Sequence, residues 1–403
     1  MNGGGRAAPV AVEAGYPWKR RTGMVLKDLF TTVCLVSGRT EKAANRLGVR
    51  FFLPQLFKLR YANMGGLDPE VFARQLDGLK SFREEAWCGY WNGIAAGYEE
   101  KAEELLVSGG EERRQEGIDA LIKAVTYYTV SAFPGDTPLR MEAYHKAREL
   151  SERLVPLLDD RMEKVTLEIA GEEVTGYERF PGEDGRYPMV IITNGLEGTV
   201  QEISLPLLKY RDAQIGVFLM EMPGTYSYRQ PMSPRSEEIY HGVIEHYASH
   251  PRVDAERMAM VGTSFGGYWS ARMAAVSPRL RCAVACGAPL HHAFGPGNAL
   301  GTPEIIVSVL KKVTGARTLS EMASRLEELS FEKNDLYRRI RIPILVINGE
   351  NDTLLGTRDS IELCARAPRA FLKLYENDDH CAMGHYREWL DLTFEWLQLY
   401  LGA

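Results

Sequence analysis

The chain has 403 residues, long enough for more than one domain. Apolar residues make up 45% and charged residues 25%, an ordinary globular composition, and a formal net charge of −6 leaves no basic footprint for nucleic acid or an anionic membrane surface. No stretch has the length of a membrane span, and the six cysteines form no C-x-x-C pair, so free thiols in a reducing, cytoplasmic setting are expected.

Residues 1–20 lack the basic-then-apolar order of a signal peptide, and their Gly/Ala-rich opening reads as a flexible tail. Residues 21–160 read as an all-helical domain. The region from Met24 to Leu79 looks helical with breaks at Gly48, Pro54 and Gly65-Gly66. From Glu84 to Val107, Trp87, Tyr90, Trp91, Ile94, Tyr98, Ala102 and Leu105 recur at helical spacing, and Gly109-Gly110 ends the run. A second helix is expected from Glu111 to Ala132, stopped by Phe133-Pro134-Gly135, and a third from Pro138 to Leu158.

Residues 161–403 have a different texture. Val165–Ile169 and Glu173–Tyr177 read as a hairpin across Ala170-Gly171. The apolar runs Met189–Thr193, Ile215–Met220, Met258–Gly262, Ala283–Cys286, Ile344–Ile347 and Phe371–Leu374 follow, most separated by enough chain for a crossover helix. Continuous apolar strands alternating with helices imply a mostly parallel sheet covered on both faces. The fold class is therefore α/β, and eight strands, the first two antiparallel, following an N-terminal all-helical domain would match the α/β-hydrolase core.

Gly262-Thr263-Ser264-Phe265-Gly266 fits G-x-S-x-G in its required context, an apolar strand entering and a helix leaving. The tight turn lifts the Ser264 hydroxyl above the sheet edge at a helix N-terminus, where partial positive charge favours an oxyanion. A serine hydroxyl needs a base and an orienting acid, which in this fold follow it in the order Asp/Glu, then His. Asp352, in the loop after Pro343–Asn348, takes the acid position, with Glu350 as its rival. His380 follows Phe371–Tyr375 and precedes a terminal helix from about His385 to Leu401, and of the eight histidines only it has this context. Asp378 and Asp379 read as loop carboxylates. The oxyanion donors expected are the N–H of Phe265 and one from the loop Thr193–Gly198, where Gly195 permits close approach and Leu196 is the donor named.

Core packing is the default for the aromatic residues of the helical part, with Trp91 and Tyr128 among those that could instead face a flat, aromatic or polyketide-like substrate. Tyr226 and Tyr228 lie in the loop after the fourth strand, and His291 and His292 follow the sixth, all on the face where ligands bind. The two histidines have no third ligand at metal spacing, so no metal is expected.

Asn194-Gly195-Leu196-Glu197 with Glu202, Gly262–Gly267, Gly287-Ala288-Pro289 with His291, Asp352 and His380-Cys381 together resemble the FrsA-like α/β-hydrolases, a group that includes dihydroxypseudooxynicotine hydrolase and fungal polyketide-shortening hydrolases. Trp91, Ala95, Ala102, Ala120, Ala124, Tyr127-Tyr128 and Arg140 are similar to that family's helical domain. The resemblance covers residues 84–403 and leaves residues 1–80 unexplained. It implies a helical cap that supplies pocket walls, homodimers, no cofactor, and cleavage of an ester or of a carbon–carbon bond beside a ketone in a small carbonyl substrate. It also makes Glu202 a pocket candidate. The loop departs from the family in reading Asn194-Gly195 where members often carry two glycines. Two other readings share these residues: an acyltransferase with an alcohol or amine acceptor, and a binding or regulatory protein that keeps the fold without turnover.

Overall fold

The computed structural model describes residues 22–54, 56–107, 109–135, 137–295 and 302–403. The tail expected at residues 1–20 lies outside the described residues. Among the described residues seven α-helices come first: α1 (Thr22–Val36), α2 (Thr40–Leu47), α3 (Leu56–Gly65), α4 (Pro69–Gly78), α5 (Glu84–Val107), α6 (Glu111–Ala132) and α7 (Pro138–Leu158). Their ends follow local chemistry. Asp68 caps α4 by accepting the N–H groups of Glu70 and Val71, with Pro69 at the first helical position. The Gly109-Gly110 break has both residues at positive φ. Helices α4, α5, α6 and α7 share an aromatic core in which Phe72, Trp87 and Trp91 are wholly buried.

The strands are β1 (Met162–Ile169), β2 (Glu172–Arg179), β3 (Tyr187–Thr193), β4 (Gly216–Met220), β5 (Val253–Thr263), β6 (Leu280–Cys286), β7 (Ile344–Gly349) and β8 (Ala370–Tyr375). They form one sheet in the order β1-β2-β4-β3-β5-β6-β7-β8. β1 pairs with β2 and β2 with β4 antiparallel, and every later pairing is parallel. The hairpin is as tight as the sequence suggests: Ile169 pairs with Glu172 across Ala170-Gly171, both at positive φ.

Helices α8 (Val200–Leu207), α9 (Glu237–Ala248), α10 (Phe265–Val276), α11 (Glu304–Thr314), α12 (Leu319–Glu328), α13 (Arg358–Arg366) and α14 (Tyr386–Leu401) complete the chain. Both faces of the sheet are covered, which explains why its central strands lack apolar–polar alternation. On β3, Met189 and Ile191 pack with Tyr240 and Trp269 on one face, while Val190 and Ile192 pack with Trp389 and Leu397 on the other. The chain has the α/β-hydrolase architecture, with its helical region N-terminal to the sheet. Among the described residues no helix is long and apolar enough to cross a membrane.

Candidate active site

Strand β5 delivers Ser264 and α10 leaves from it. The turn has no room for side chains: a Cβ on Gly262 would overlap the Gly266 carbonyl, and one on Gly266 would overlap backbone oxygens of the β3 loop. Ser264 itself holds φ 57° and ψ −122°, a strained conformation for a residue with a side chain. Its N–H donates to the Cys286 carbonyl at 2.7 Å, fixing the elbow against the end of β6.

The loops after β7 and β8 bring Asp352 and His380 to it. His380 Nε2 lies 2.9 Å from Ser264 Oγ, and His380 Nδ1 lies 2.8 Å from Asp352 Oδ2. An Nδ1–H donated to the carboxylate leaves Nε2 to accept the Ser264 proton. Asp352 also accepts from the Asn348 amide at 2.9 Å and from the N–H groups of Leu354 and Leu355 at 2.9 and 2.8 Å. Burial alone would raise the Asp352 carboxyl, but the His380 charge and these hydrogen bonds hold it below its ordinary value. Burial opposes charge on His380 too. The neighbouring Cys381 thiol is pushed well up by burial and so stays neutral, and the Asp352 carboxylate with its hydrogen bond favours the imidazolium, so His380 lies above the usual histidine value. Glu350, the rival acid, stands at the end of the strand with its N–H on the Tyr375 carbonyl.

The two loop aspartates brace this arrangement. Asp379 accepts the N–H of Thr353 at 2.6 Å and its hydroxyl at 2.9 Å, tying the acid loop to the histidine loop. Asp378 accepts from the N–H groups of Asp379, Gly384 and His385 and meets the His385 ring at 2.8 Å. His385, at the start of the terminal helix, is thereby engaged with Asp378.

Phe265 begins α10 and is buried. Gly195 packs directly on Ser264: a Cβ there would come 2.6 Å from its Cβ and 3.2 Å from its Oγ. Leu196 follows, partly buried against the sheet core. The turn is closed on itself by Asn194 Nδ2 donating to the Thr199 carbonyl at 2.8 Å and Gly198 N–H donating to the Gly195 carbonyl at 3.2 Å.

The pocket candidates fare differently. Trp91 is wholly buried in the helical core, stacked with Tyr127, and Tyr128 lies in the same core with its hydroxyl on Glu99 at 3.1 Å. Both are packing residues, the default reading of their helical spacing. Glu202 is not open to a ligand either. It completes a capping box with Thr199 and pairs with Arg60 at 2.6 and 2.7 Å. The Thr199-x-x-Glu202 spacing is the sequence signal for that role. The Tyr226 hydroxyl donates to the Glu197 carbonyl at 3.1 Å, and the Tyr228 hydroxyl donates to the Glu221 carbonyl at 3.3 Å. His291 meets Ser330 at 2.8 Å, and His292 pairs with Glu362. Arg60 and Asp359 are polar residues around the site that no sequence motif singles out, and Glu197 is named there only as part of the Asn194–Glu197 run.

Comparison with known proteins follows the same lines. A protein-family model described as "Esterase FrsA-like" matches residues 72–401. Esterase FrsA of Photobacterium profundum is 23% identical over 337 residues, spanning 80% of this chain and 78% of that protein. The 2,6-dihydropseudooxynicotine hydrolase of Paenarthrobacter nicotinovorans is 24% identical over 303 residues, spanning 74% and 80%. The crystal structure of the 2,6-dihydroxy-pseudo-oxynicotine hydrolase superposes with a TM-score of 0.70 at 21% identity, covering 85% of this chain and 95% of that one. Wild-type AbyA5 gives 0.66 at 21% identity, covering 77% and 85%. These structural likenesses establish the fold, and the family match, which runs over most of the sequence, establishes that this chain belongs to the Esterase FrsA-like family and is an α/β-hydrolase enzyme.

Proposed function

We propose that the chain hydrolyses a small carbonyl compound through an acyl-enzyme on Ser264, with His380 as general base and acid and Asp352 as its orienting partner. The observation that carries this reading is the unbroken relay from Ser264 Oγ to His380 Nε2 at 2.9 Å and from His380 Nδ1 to Asp352 at 2.8 Å. As Oγ attacks the carbonyl carbon, its proton passes to Nε2 and the C=O electron pair moves to oxygen. The oxyanion so formed takes hydrogen bonds from the Phe265 N–H, at the positive end of α10, and from the N–H of Leu196. Collapse of this intermediate expels the leaving group, which takes the proton from His380. Water then repeats the sequence on the acyl-enzyme and releases the acid.

An ester is the substrate class that the esterase relatives support, with an alkoxide leaving group. A carbon–carbon bond beside a ketone uses the same groups only where the departing carbanion is stabilised as an enolate, as in a β-diketone or an acylphenol. Similarity to 2,6-dihydropseudooxynicotine hydrolase keeps that class in the screen.

A fluorophosphonate is expected to add a single label on Ser264, and Ser264→Ala to lose both the label and turnover in a panel of p-nitrophenyl esters and β-diketones. Retained turnover in Ser264→Ala would reject the covalent mechanism.

A further inference from the structure

The turn carrying Gly195 and Leu196 is held from outside the sheet by a buried polar cluster. Glu197, at its apex, is wholly buried and has φ 52°, the left-handed region that a residue with a side chain enters only under constraint. Its carbonyl accepts hydrogen bonds from Arg60 Nη2 at 2.6 Å and from the Tyr226 hydroxyl at 3.1 Å. The same guanidinium donates from Nε to Glu202 Oε1 at 2.6 Å and from Nη2 to Glu202 Oε2 at 2.7 Å. Glu202 Oε2 accepts the Thr199 N–H at 2.9 Å, at the far end of the turn. The Glu197 carboxylate faces Lys312 Nζ of α11 at 3.8 Å, and that ammonium also donates to the Gly135 carbonyl in the α6–α7 connection.

Arg60 therefore holds the turn at its apex directly and at its far end through Glu202, with one planar group whose fork geometry an ammonium cannot reproduce. The turn is closed internally and lies against Ser264 with no space for a methyl group, so what fixes its apex fixes its distance from Ser264. A buried ion pair is commonly no more stabilising than an apolar pair of the same volume. What Arg60 and Glu202 supply here, with side chains 13% and 4% exposed, is the position of a backbone turn. Arg60 lies in α3, ahead of the span 72–401 that the family model matches.

We propose that Arg60 is a positioning residue for the oxyanion-binding turn: it sets the Leu196 N–H against Ser264 from a helix outside the span that defines the family. The proposal rests on the reading of that turn as half of the oxyanion hole. Stabilisation of this kind acts on the transition state and not on the bound substrate, so its loss appears in kcat.

The test compares Arg60→Met/Glu202→Gln with wild type and with Arg60→Lys. The double variant removes both buried charges together, and Gln keeps the capping-box acceptor, so the fold is retained. Active sites are counted by fluorophosphonate titration, and thermal unfolding is followed in parallel. With a p-nitrophenyl ester, the double variant is expected to lose about 10- to 100-fold in kcat per titrated site with KM within about 2-fold, the full loss of one oxyanion donor being about 10²- to 10³-fold. Arg60→Lys should recover part of that loss, because one ammonium can still donate to the Glu197 carbonyl. A double variant whose kcat per site equals wild type, while Ser264→Ala is inactive, overturns the proposal and leaves the triad standing. Turnover by Ser264→Ala removes the mechanism and the proposal together.

Discussion

Asp352 can only accept hydrogen bonds where it stands. Oδ1 takes the N–H groups of Leu354 and Leu355, and Oδ2 takes the Asn348 amide and the His380 Nδ1–H. An asparagine there would keep its carbonyl oxygen on the two backbone donors and turn its NH₂ toward His380. Nδ1 would then have to accept, the ring proton would sit on Nε2, and Nε2 could no longer take the Ser264 proton. Asp352→Asn is therefore expected to keep the fold and lower kcat by about 10⁴-fold. The pH profile follows from the same contact. The carboxylate favours the imidazolium, so the neutral base forms only at higher pH, and kcat/KM should rise with pH along a limb centred above the ordinary histidine value of about 6.5. In Asp352→Asn that limb should move to lower pH while the plateau falls. A limb that stays in place would show that another charge controls His380.

At the scale of elements, one side chain gathers four backbone N–H groups of the loop after β6. Asp359, in the first turn of α13, is buried and accepts the N–H groups of Leu290, His291, His292 and Ala293 at 2.8 to 3.2 Å. Asp359→Ala would leave these donors without the carboxylate in a partly buried loop, and an expected loss of about 2–4 kcal/mol should appear as a lower urea midpoint. A midpoint unchanged from wild type would mean that other groups or water replace the carboxylate. Such a contact has no trace in the sequence, where Arg358-Asp359-Ser360 looks like any helix start. What is legible there is local. Helices α5, α6 and α7 begin and end where aromatic periodicity meets Gly109-Gly110 and Phe133-Pro134-Gly135. The elbow is legible because its glycines are demanded by backbone contact within a few residues. β5 starts earlier than the apolar run at Met258 because Asp254–Arg257 are mostly polar and partly exposed, and an apolar run marks only the continuously buried part of a strand. Glu202 reads as a pocket residue in the sequence because its partner, Arg60, lies far away in the chain, and spacing rules describe only neighbours along an element.

Across the whole molecule, the helical region meets the sheet through buried polar groups, and one of them titrates near neutrality. Glu221, just beyond β4, accepts the Tyr144 hydroxyl of α7 at 2.9 Å and the Val200 N–H of α8 at 3.4 Å, with Arg148 and Glu202 as the nearby charges. Burial dominates over the lowering effects of Tyr144, Arg148 and Val200, and pushes the carboxyl up to about 7 from an ordinary 4.5. Between these values the folded chain holds a proton that the unfolded chain has released. Stability from this group is therefore fully present below about pH 4.5 and falls as pH rises to about 7, by on the order of 3 kcal/mol. The unfolding free energy of wild type minus that of Glu221→Gln should thus decline across this window and flatten on either side, because glutamine keeps a neutral amide at the same place. Denaturant titrations of the two proteins at several pH values measure that difference directly. Parallel curves would mean that Glu221 is ionised in the folded state throughout, with the Arg148 guanidinium close enough to offset its burial. A declining difference would instead make docking of α7 on the sheet weaken as pH rises through neutrality.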